Sequence, residues 1–558
     1  MRSLLLLSSC LALVVAGDLR YSQTVGKDGT ISLQWDFDTE SETITLQIQC
    51  KCKGWVALGF SPSGGMKGAD IVIVGKYLNK TVYFADYHAP EYSRPVKDDL
   101  QNYQLLSVTE DETTTTARFS RKFRTCDNND VDITKDTMSM IFAHGGADDN
   151  LKYHGSNCFQ ENIILLNEEG NTYSPEPTTS SYFDVLMNDY PVPSDVTTYG
   201  CQFLGPFQFS QKYHIYKVEA LIQPGNENLV HHMIVYSCPN NTQIVKESGI
   251  CYSKDPKYAA YYQCVQLMSG WAVGGGDLVL PPEAGISIGD LNDPTYLKIE
   301  IHYNNMKKLS EIRDNSGFRL HYTSELRMYD SGIIQTGYFL FHLNMFIPPG
   351  VEYFETNGLC KTKKFQELNP GPVTDMQVFD FFPHTHLSGK TVEAALFRDG
   401  KQMSSLGQDL HFDFNLQRIR PINVTVKMGD DIRTKCTYNT LSATKLVPGG
   451  LSTEEEMCLV FFFYYPKNSI ATCESEANQT YVAEQLGVDP SLPLTISLAN
   501  YSWDADSIMT AQVATKQSVQ TVIIGNELGE KVVDFGVNQE ITQPERGVCS
   551  ATTYTIPG

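Results

Sequence analysis

The chain has 558 residues, which is too long for one hydrophobic core and predicts several domains. Its 43 Lys and Arg are outnumbered by 65 Asp and Glu, so the net charge is -22 at pH 7. This charge would repel nucleic acid and anionic membrane surfaces, and it excludes both as expected partners.

Residues 1–17 have the pattern of a signal peptide. Arg2 precedes an apolar run from Leu4 to Val15, and the small residues Ala16 and Gly17 follow it. We expect cleavage near Gly17 and a mature chain that is secreted or held within secretory vesicles. No later apolar run approaches the roughly 20 residues that a membrane-spanning helix needs, so we expect no transmembrane segment in the mature chain.

Cysteines and glycosylation sequons also indicate the secretory pathway. Cys10 leaves with the signal peptide, and 13 cysteines remain in an oxidising compartment, where one must stay unpaired. Five Asn-x-Ser/Thr sequons predict N-glycosylation, at Asn79, Asn240, Asn423, Asn478 and Asn500.

Alternating apolar and β-branched runs predict an all-β chain of several sandwiches. Residues 18–170 contain short strands separated by Gly, Pro and Asp turns, and a Pro-, Ser- and Thr-rich linker follows at 171–181. Strand patterns over 182–328 and 329–495 predict two further sandwich domains. Residues 496–558 carry little pattern, and we expect a C-terminal tail there.

The first chemical motif is the pair His231 and His232 inside an apolar strand. Neighbours in a regular strand point to opposite faces, so both can bind one ion only at a bulge or a strand end. Alone, the pair is more typical of one buried and one exposed histidine. His302 lies on a strand face with Lys298 and Glu300 and could complete a three-imidazole site. Glu300 could orient a ligand, although an exposed, ion-pairing Glu is the commoner case.

A second motif, His384-Thr-His386, has the spacing that places both imidazoles on one face of a strand. The same spacing also arises by chance on surfaces. Met457 opens the apolar run that follows three glutamates, where core packing is the usual role of a methionine. If Met457 is a ligand, its soft thioether beside imidazoles selects copper over zinc and hard cations.

Taken together, these motifs resemble the type II copper, ascorbate-dependent monooxygenases, and within them the dopamine beta-hydroxylase-like subgroup. Residues 30–165 are similar to the DOMON domain of that subgroup. The segments that carry the resemblance are Gly54-Trp-Val-Ala-Leu-Gly-Phe60, Gly68-Ala-Asp-Ile71, Phe412-Asp-Phe-Asn415, Gly449-Gly-Leu-Ser-Thr453, Glu456-Met457-Cys458 and Tyr464-Tyr-Pro466.

The resemblance implies a DOMON-like β-sandwich followed by two jelly-roll copper domains that face each other across a solvent cleft. It further implies two coppers per chain, ascorbate as electron donor, and dioxygen and a small molecule as the other partners. One copper, at His231, His232 and His302, would transfer electrons. The other, at His384, His386 and Met457, would bind dioxygen. The resemblance is compatible with a homo-oligomer.

The disulfide pattern of the family, carried over by position, implies five bonds. Cys50, Cys52 and Cys158 remain without an implied partner, so the odd thiol stays open. The implied bonds are Cys126–Cys549, Cys201–Cys251, Cys238–Cys264, Cys360–Cys473 and Cys436–Cys458.

Four positions of the implied substrate pocket depart from better-known members of the family. Phe382 stands where peptide-hydroxylating members have an Arg, and Leu459 and Phe461 replace polar contacts there. Gln335 stands in the segment where amine hydroxylases carry a Glu. A Gln can hydrogen-bond an amine but cannot neutralise an ammonium, so we expect a substrate that is not strongly charged.

The combined prediction is a copper-dependent oxidoreductase that hydroxylates an aliphatic or benzylic C–H bond of a small organic molecule. Two alternatives remain at this point. One is a non-catalytic, secreted DOMON-type binding protein. The other is a zinc hydrolase built on His384 and His386, with Met457 serving only as core.

Overall fold

A computed structural model describes residues 19–26, 29–77, 79–145, 151–166, 176–291, 293–543, 549 and 551–554. The expected signal peptide at 1–17 lies outside these residues, as do residues 171–175 of the expected linker. Strands dominate the described chain, so the all-β prediction is confirmed. The chain divides into two compact units. The first contains the described residues up to Leu166 together with Cys549 and residues 551–554, and the second lies within 167–545.

The first unit is a sandwich of two antiparallel sheets. Alternating strands such as β2 bury their apolar residues in one shared core. One sheet has the order β1-β2-β3-β9-β8 and the other β11-β10-β4-β5-β6-β7. The strands are β1 (Tyr21–Val25), β2 (Ile31–Asp38), β3 (Thr43–Cys50), β4 (Val56–Ser61), β5 (Ala69–Lys76), β6 (Val82–Ala89), β7 (Val96–Lys97), β8 (Gln104–Glu110), β9 (Thr115–Lys122), β10 (Met138–His144) and β11 (Cys158–Ile163).

The first half of the second unit contains two larger sheets. A six-stranded sheet has the order β12-β23-β15-β20-β24, with β19 pairing β15, and a five-stranded sheet has the order β17-β14-β21-β16-β18. The strands are β12 (Ser181–Leu186), β13 (Tyr190–Val192), β14 (Thr197–Leu204), β15 (Tyr213–Leu221), β16 (Val230–Ser237), β17 (Gly249–Ile250), β18 (Gln266–Ala272), β19 (Leu278–Val279), β20 (Ala284–Ile288), β21 (Leu297–Asn304), β22 (Ile312–Asp314), β23 (Gly317–Thr323) and β24 (Tyr329–Asp330), with a 3-10 helix at Pro256–Gln263.

The second half packs a seven-stranded sheet on a four-stranded one. Their orders are β31-β28-β34-β25-β35-β36-β37 and β27-β32-β29-β30. The strands are β25 (Gly332–Tyr338), β26 (Phe346–Ile347), β27 (Phe354–Lys361), β28 (Met376–His384), β29 (Gly389–Arg398), β30 (Lys401–Asp409), β31 (Arg420–Val426), β32 (Asp431–Tyr438), β33 (Val447–Pro448), β34 (Leu459–Tyr465), β35 (Ile470–Ala477), β36 (Val519–Asn526) and β37 (Lys531–Val537).

The expectation of a C-terminal tail over 496–558 is wrong for residues 496–537, and residues 544–548, 550 and 555–558 lie outside the described chain. Three helices, α1 (Gln479–Leu486), α2 (Leu494–Ser497) and α3 (Ala505–Gln517), lead into β36 and β37, which extend the seven-stranded sheet. The α3 helix begins with a capping box between Asp504 and Ser507. The strands were missed because their polar and charged residues interrupt the apolar alternation.

The structure contains disulfides for all five pairs that the resemblance implies. It adds a sixth bond between Cys50 and Cys52 and leaves Cys158 exposed, as the free cysteine of the described chain. The asparagines of the five predicted sequons are all exposed. No helix among the described residues is long and apolar enough to cross a bilayer.

Candidate metal centre

A β-bulge brings His231 and His232 to the same site. Strand β16 pairs with β21, and the register shifts between Val230 and His232, so His231 is the extra residue. His232 lies directly opposite His302 on β21. The bulge that the adjacent histidines require is therefore present, and it places the three side chains together.

The three histidines face one another through their Nδ1 atoms. The Nδ1 of His232 lies 3.3 Å from that of His231 and 3.4 Å from that of His302. Two nitrogens held by metal bonds of about 2.0–2.1 Å at tetrahedral angles lie about 3.3–3.4 Å apart. Both separations match this spacing, and the candidate ligand atoms of all three histidines lie within 4.8 Å of one another.

All three imidazoles are buried, and burial lowers their basicity. It lowers the pKa of His231 to about 4, and it lowers the pKa values of His232 and His302 well below the usual range, with neighbouring histidines adding to the effect. The Nε2 atoms of His231 and His302 have no hydrogen-bond partner in the described structure. The cluster is thus a set of neutral imidazoles, which is the form that binds metals.

Aromatic side chains hold this cluster in place. The Tyr199 ring stacks on His302 with centroids 4.5 Å apart, and the Phe414 ring stacks on His231 at 3.9 Å. Glu300, expected to be exposed, is 2% exposed. Its carboxylate accepts a hydrogen bond from Tyr252 and pairs with Lys298, so its hydrogen bonds do not go to the histidines.

His384 and His386 lie at the end of β28, where the strand stops at His384. The Nδ1 of His384 lies 2.6 Å from the Gln417 Oε1, and Gln417 is oriented by donating its amide to the Phe414 carbonyl. The Nδ1 of His386 donates to the Glu455 carbonyl at 3.0 Å. Both rings therefore keep the Nε2 lone pair for a ligand.

The second pair of histidines is also neutral. Burial lowers the pKa of His384 to about 4 and that of His386 to about 3. The Nε2 of His386 is buried without a hydrogen-bond partner in the described chain. A buried imidazole nitrogen left without a partner is costly, and a metal ion would satisfy it.

Glu456 is a site residue that the sequence analysis did not assign. Its fully buried carboxylate accepts hydrogen bonds from the Thr385 hydroxyl at 2.7 Å and from the backbone N–H groups of His386, Ser388 and Met457. Burial raises the pKa of this carboxyl above its usual value, and the four hydrogen bonds offset only part of that rise. Glu456 therefore fixes the backbone around the two histidines. The only sequence feature that could have indicated this role is its position directly before Met457.

Met457 lies two residues before β34 and is 7% exposed. Its carbonyl accepts a hydrogen bond from the Tyr438 hydroxyl at 2.8 Å. The neighbouring Cys458 forms the disulfide with Cys436, which ties the segment to β32. The backbone around Met457 is thus held on both sides.

The two histidine sets lie next to each other. The rings of His232 and His384 have centroids only 5.5 Å apart and meet edge to face. The Tyr199 hydroxyl donates to the Leu451 carbonyl at 2.6 Å, and Phe414 packs on His231. The expected solvent cleft between the two copper domains is therefore closed in this structure by aromatic and hydrogen-bonded contacts.

A cavity of about 230 Å³ opens beside these histidines. It is lined by His232, His384 and Met457, together with many aromatic side chains. All four positions assigned to the substrate pocket also line it, namely Gln335, Phe382, Leu459 and Phe461. The lining is mostly apolar, which suits a small organic ligand.

One carboxylate in this cavity was not predicted. Glu474 on β35 is 4% exposed, and its Oε1 accepts a hydrogen bond from the Gln335 amide at 2.7 Å. Burial raises the pKa of Glu474 to about 7, against the lowering effects of Gln335 and Lys531. The two residues are 139 positions apart in the chain, so no local motif could have shown the pair.

Three family models match the chain. Residues 27–145 match the DOMON domain, residues 183–310 the N-terminal domain of copper type II ascorbate-dependent monooxygenases, and residues 329–486 the C-terminal domain. The two copper-domain matches contain all six candidate ligands.

Curated relatives match over most of the chain. It is 41% identical over 540 residues to DBH-like monooxygenase protein 2 of Mus musculus, covering 96% of this chain and 86% of that protein. It is 39% identical to DBH-like monooxygenase protein 1 of Homo sapiens, covering 76% and 69%. It is 32% identical to dopamine beta-hydroxylase of Rattus norvegicus, covering 83% and 75%.

Proposed function

Because the chain belongs to the copper type II, ascorbate-dependent monooxygenases, it is a copper oxidoreductase, and we propose that it hydroxylates a C–H bond of a small, largely apolar molecule. The bond is aliphatic or benzylic. The family excludes a zinc hydrolase, and it favours an enzyme over a binding protein. The reaction inserts one oxygen atom of dioxygen into the C–H bond, and the other leaves as water with two electrons from ascorbate and two protons.

We assign the first copper to His231, His232 and His302 and the second to His384, His386 and Met457. The observation that carries this assignment is the set of buried, neutral imidazoles whose nitrogens converge or lack partners. A thioether beside two imidazoles suits cuprous copper better than zinc. Bound copper would supply the one-electron chemistry with ascorbate and the activation of dioxygen.

The chain's own contribution is to hold the donor atoms in place. Hydrogen bonds from the Nδ1 atoms of His384 and His386 fix both ring orientations, and Glu456 fixes the backbone between them. Such outer partners set the orientation and basicity of metal ligands. The donor side chains are buried, and the cavity beside them is lined mostly by apolar residues.

The cavity supports the substrate proposal. Phe382, Leu459 and Phe461 line it beside His384 and Met457, so an apolar body would lie against the second copper site. The volume of about 230 Å³ is below the range of about 300–1,000 Å³ that is usual for drug-sized ligands, which favours a small molecule.

We also propose that the protein works in the secretory pathway, either secreted or within vesicles. Six disulfides in the described chain favour an oxidising compartment. Dioxygen, ascorbate and the small substrate would be its partners there.

The reaction is tested with copper-loaded protein, ascorbate and oxygen-18 gas, offered a mixture of small aromatic and aliphatic metabolites. We expect at least one compound to gain one oxygen-18 atom, only when ascorbate is present. The control is the His384→Ala protein, which should give no labelled product. Label incorporation that is equal in the wild type and the control would contradict the proposal.

A further inference from the structure

The floor of the cavity is one face of the seven-stranded sheet. Phe382, Phe461, Gln335 and Thr472 lie in register across β28, β34, β25 and β35. Two residues further along each strand, His384, Leu459, Gly337 and Glu474 form a second row. Because residues two apart share a face, both rows present their side chains to the cavity, and Gly337 contributes none.

Glu474 ends the second row as a buried carboxyl that forms no ion pair among the described residues, and Lys531 acts on it only as a nearby positive charge. Gln335 is its one hydrogen-bond partner in the described part of the chain, and no basic residue there forms an ion pair with it. The other charged groups of the cavity, Lys298 and Glu300, pair with each other. A buried carboxylate is costly unless it is paired, and this cost is what raises the pKa of Glu474. A cation bound beside it in the cavity would stabilise the ionised form.

We propose that Glu474, held by Gln335, determines the substrate specificity of the cavity and selects a protonated amine carried on an extended apolar body. This inference rests on the proposed function, because it assigns the cavity to the substrate of the same site. It revises the expectation drawn from Gln335 alone. Gln335 itself has no carboxylate, but Glu474 on the neighbouring strand β35 places one beside it.

The position of Glu474 also limits the shape of the amine. His384 and Glu474 are three strands apart in one row, which separates their Cα atoms by about 14 Å at about 4.8 Å per strand. Gln335 holds the carboxylate on the side of β25, which shortens this gap without closing it. The favoured amine therefore has its nitrogen several bonds from the carbon that is hydroxylated, farther than in an arylethylamine.

The test is equilibrium binding to the copper-loaded, oxidised protein without ascorbate, by calorimetry, at a pH above the pKa of Glu474. The ligands are phenethylamine, phenylbutylamine and phenylhexylamine, each compared with the alcohol of the same length. Wild type is expected to prefer the longer amines over their alcohols by on the order of tenfold, because a hydrogen bond between charged groups is stronger than one to a neutral hydroxyl. The isosteric Glu474→Gln variant is expected to lose that preference.

Two further variants, Glu476→Gln and Gln335→Glu, test whether the amine preference depends on Glu474 in particular. Glu476 lies on the same strand but bonds to His342 and Asn344 rather than lining the cavity, so Glu476→Gln should leave the preference unchanged. Gln335→Glu would place two carboxyls within hydrogen-bond distance, where they share one proton, and should not raise amine affinity. A preference that survives Glu474→Gln, or alcohols that bind wild type as well as amines, would overturn the proposal.

Failure of this proposal can be told from failure of the proposed function. Binding needs neither ascorbate nor oxygen, so an amine preference that depends on Glu474 would stand even without product. If wild type and Glu474→Gln form the same products at the same rates, the oxygenase function stands and Glu474 has no role in substrate specificity. A best ligand of arylethylamine length would overturn the extended shape.

Discussion

Replacement of His386 by alanine is expected to reduce bound copper from two ions to one per chain and to lower turnover by more than about 100-fold. The loss should exceed the 10- to 100-fold typical of residues that only support a ligand. His386 has a buried Nε2 without a partner, and its other nitrogen is committed to the Glu455 carbonyl. Elemental analysis and product formation measure the two effects.

The matched control is His321→Ala. His321 pairs with Glu219 on the first half of the second unit, and its ring belongs to neither candidate set. This variant should keep two coppers and wild-type turnover. Two retained coppers with normal turnover in His386→Ala would remove His386 from the site.

Glu456→Gln is expected to lower turnover by about 10- to 100-fold, although Glu456 is not among the proposed copper ligands. Both carboxylate oxygens accept hydrogen bonds, from the Thr385 hydroxyl and three backbone N–H groups. The amide introduced by Glu456→Gln would replace one of these two acceptor oxygens by an NH2 group, which would face a hydrogen-bond donor. The clash would loosen the loop that holds His384 and His386 and cost about 1–3 kcal/mol of folding free energy.

The readout that separates positioning from general damage is copper affinity at the second site compared with the first. Only the second site should weaken in Glu456→Gln. Glu454→Gln is the control, because Glu454 is exposed two residues earlier. Equal weakening of both sites would show a global structural defect instead.

The fold class followed from the sequence because strands are local patterns. The full set of candidate ligands was implied by the resemblance to the copper monooxygenases, because each metal motif taken alone was ambiguous. The pair His231 and His232 required a bulge, and the structure has one. The spacing of His384 and His386 suggested one strand face, but the strand ends at His384 and Glu456 holds the following turn. That contact joins segments 70 residues apart, which a local pattern cannot show.

Long-range register explains what was missed. Glu474 meets Gln335 because β35 pairs in parallel with β25, a pairing that apolar alternation does not specify. The close approach of His232 to His384 depends on how the two halves of the second unit pack. Strands β36 and β37 were lost in the expected tail because their apolar residues do not alternate regularly, as in the consecutive Val522, Ile523 and Ile524.

We propose above all that Met457 is a ligand of the second copper. The alternative is that Met457 only packs in the core and has no part in copper chemistry. X-ray absorption of the ascorbate-reduced, copper-loaded protein measures it directly. We expect a sulfur scatterer that is present in wild type and absent in Met457→His. Met233→Leu is the control, because Met233 also lines the cavity and should leave the signal intact. A sulfur signal that persists in Met457→His would contradict the account.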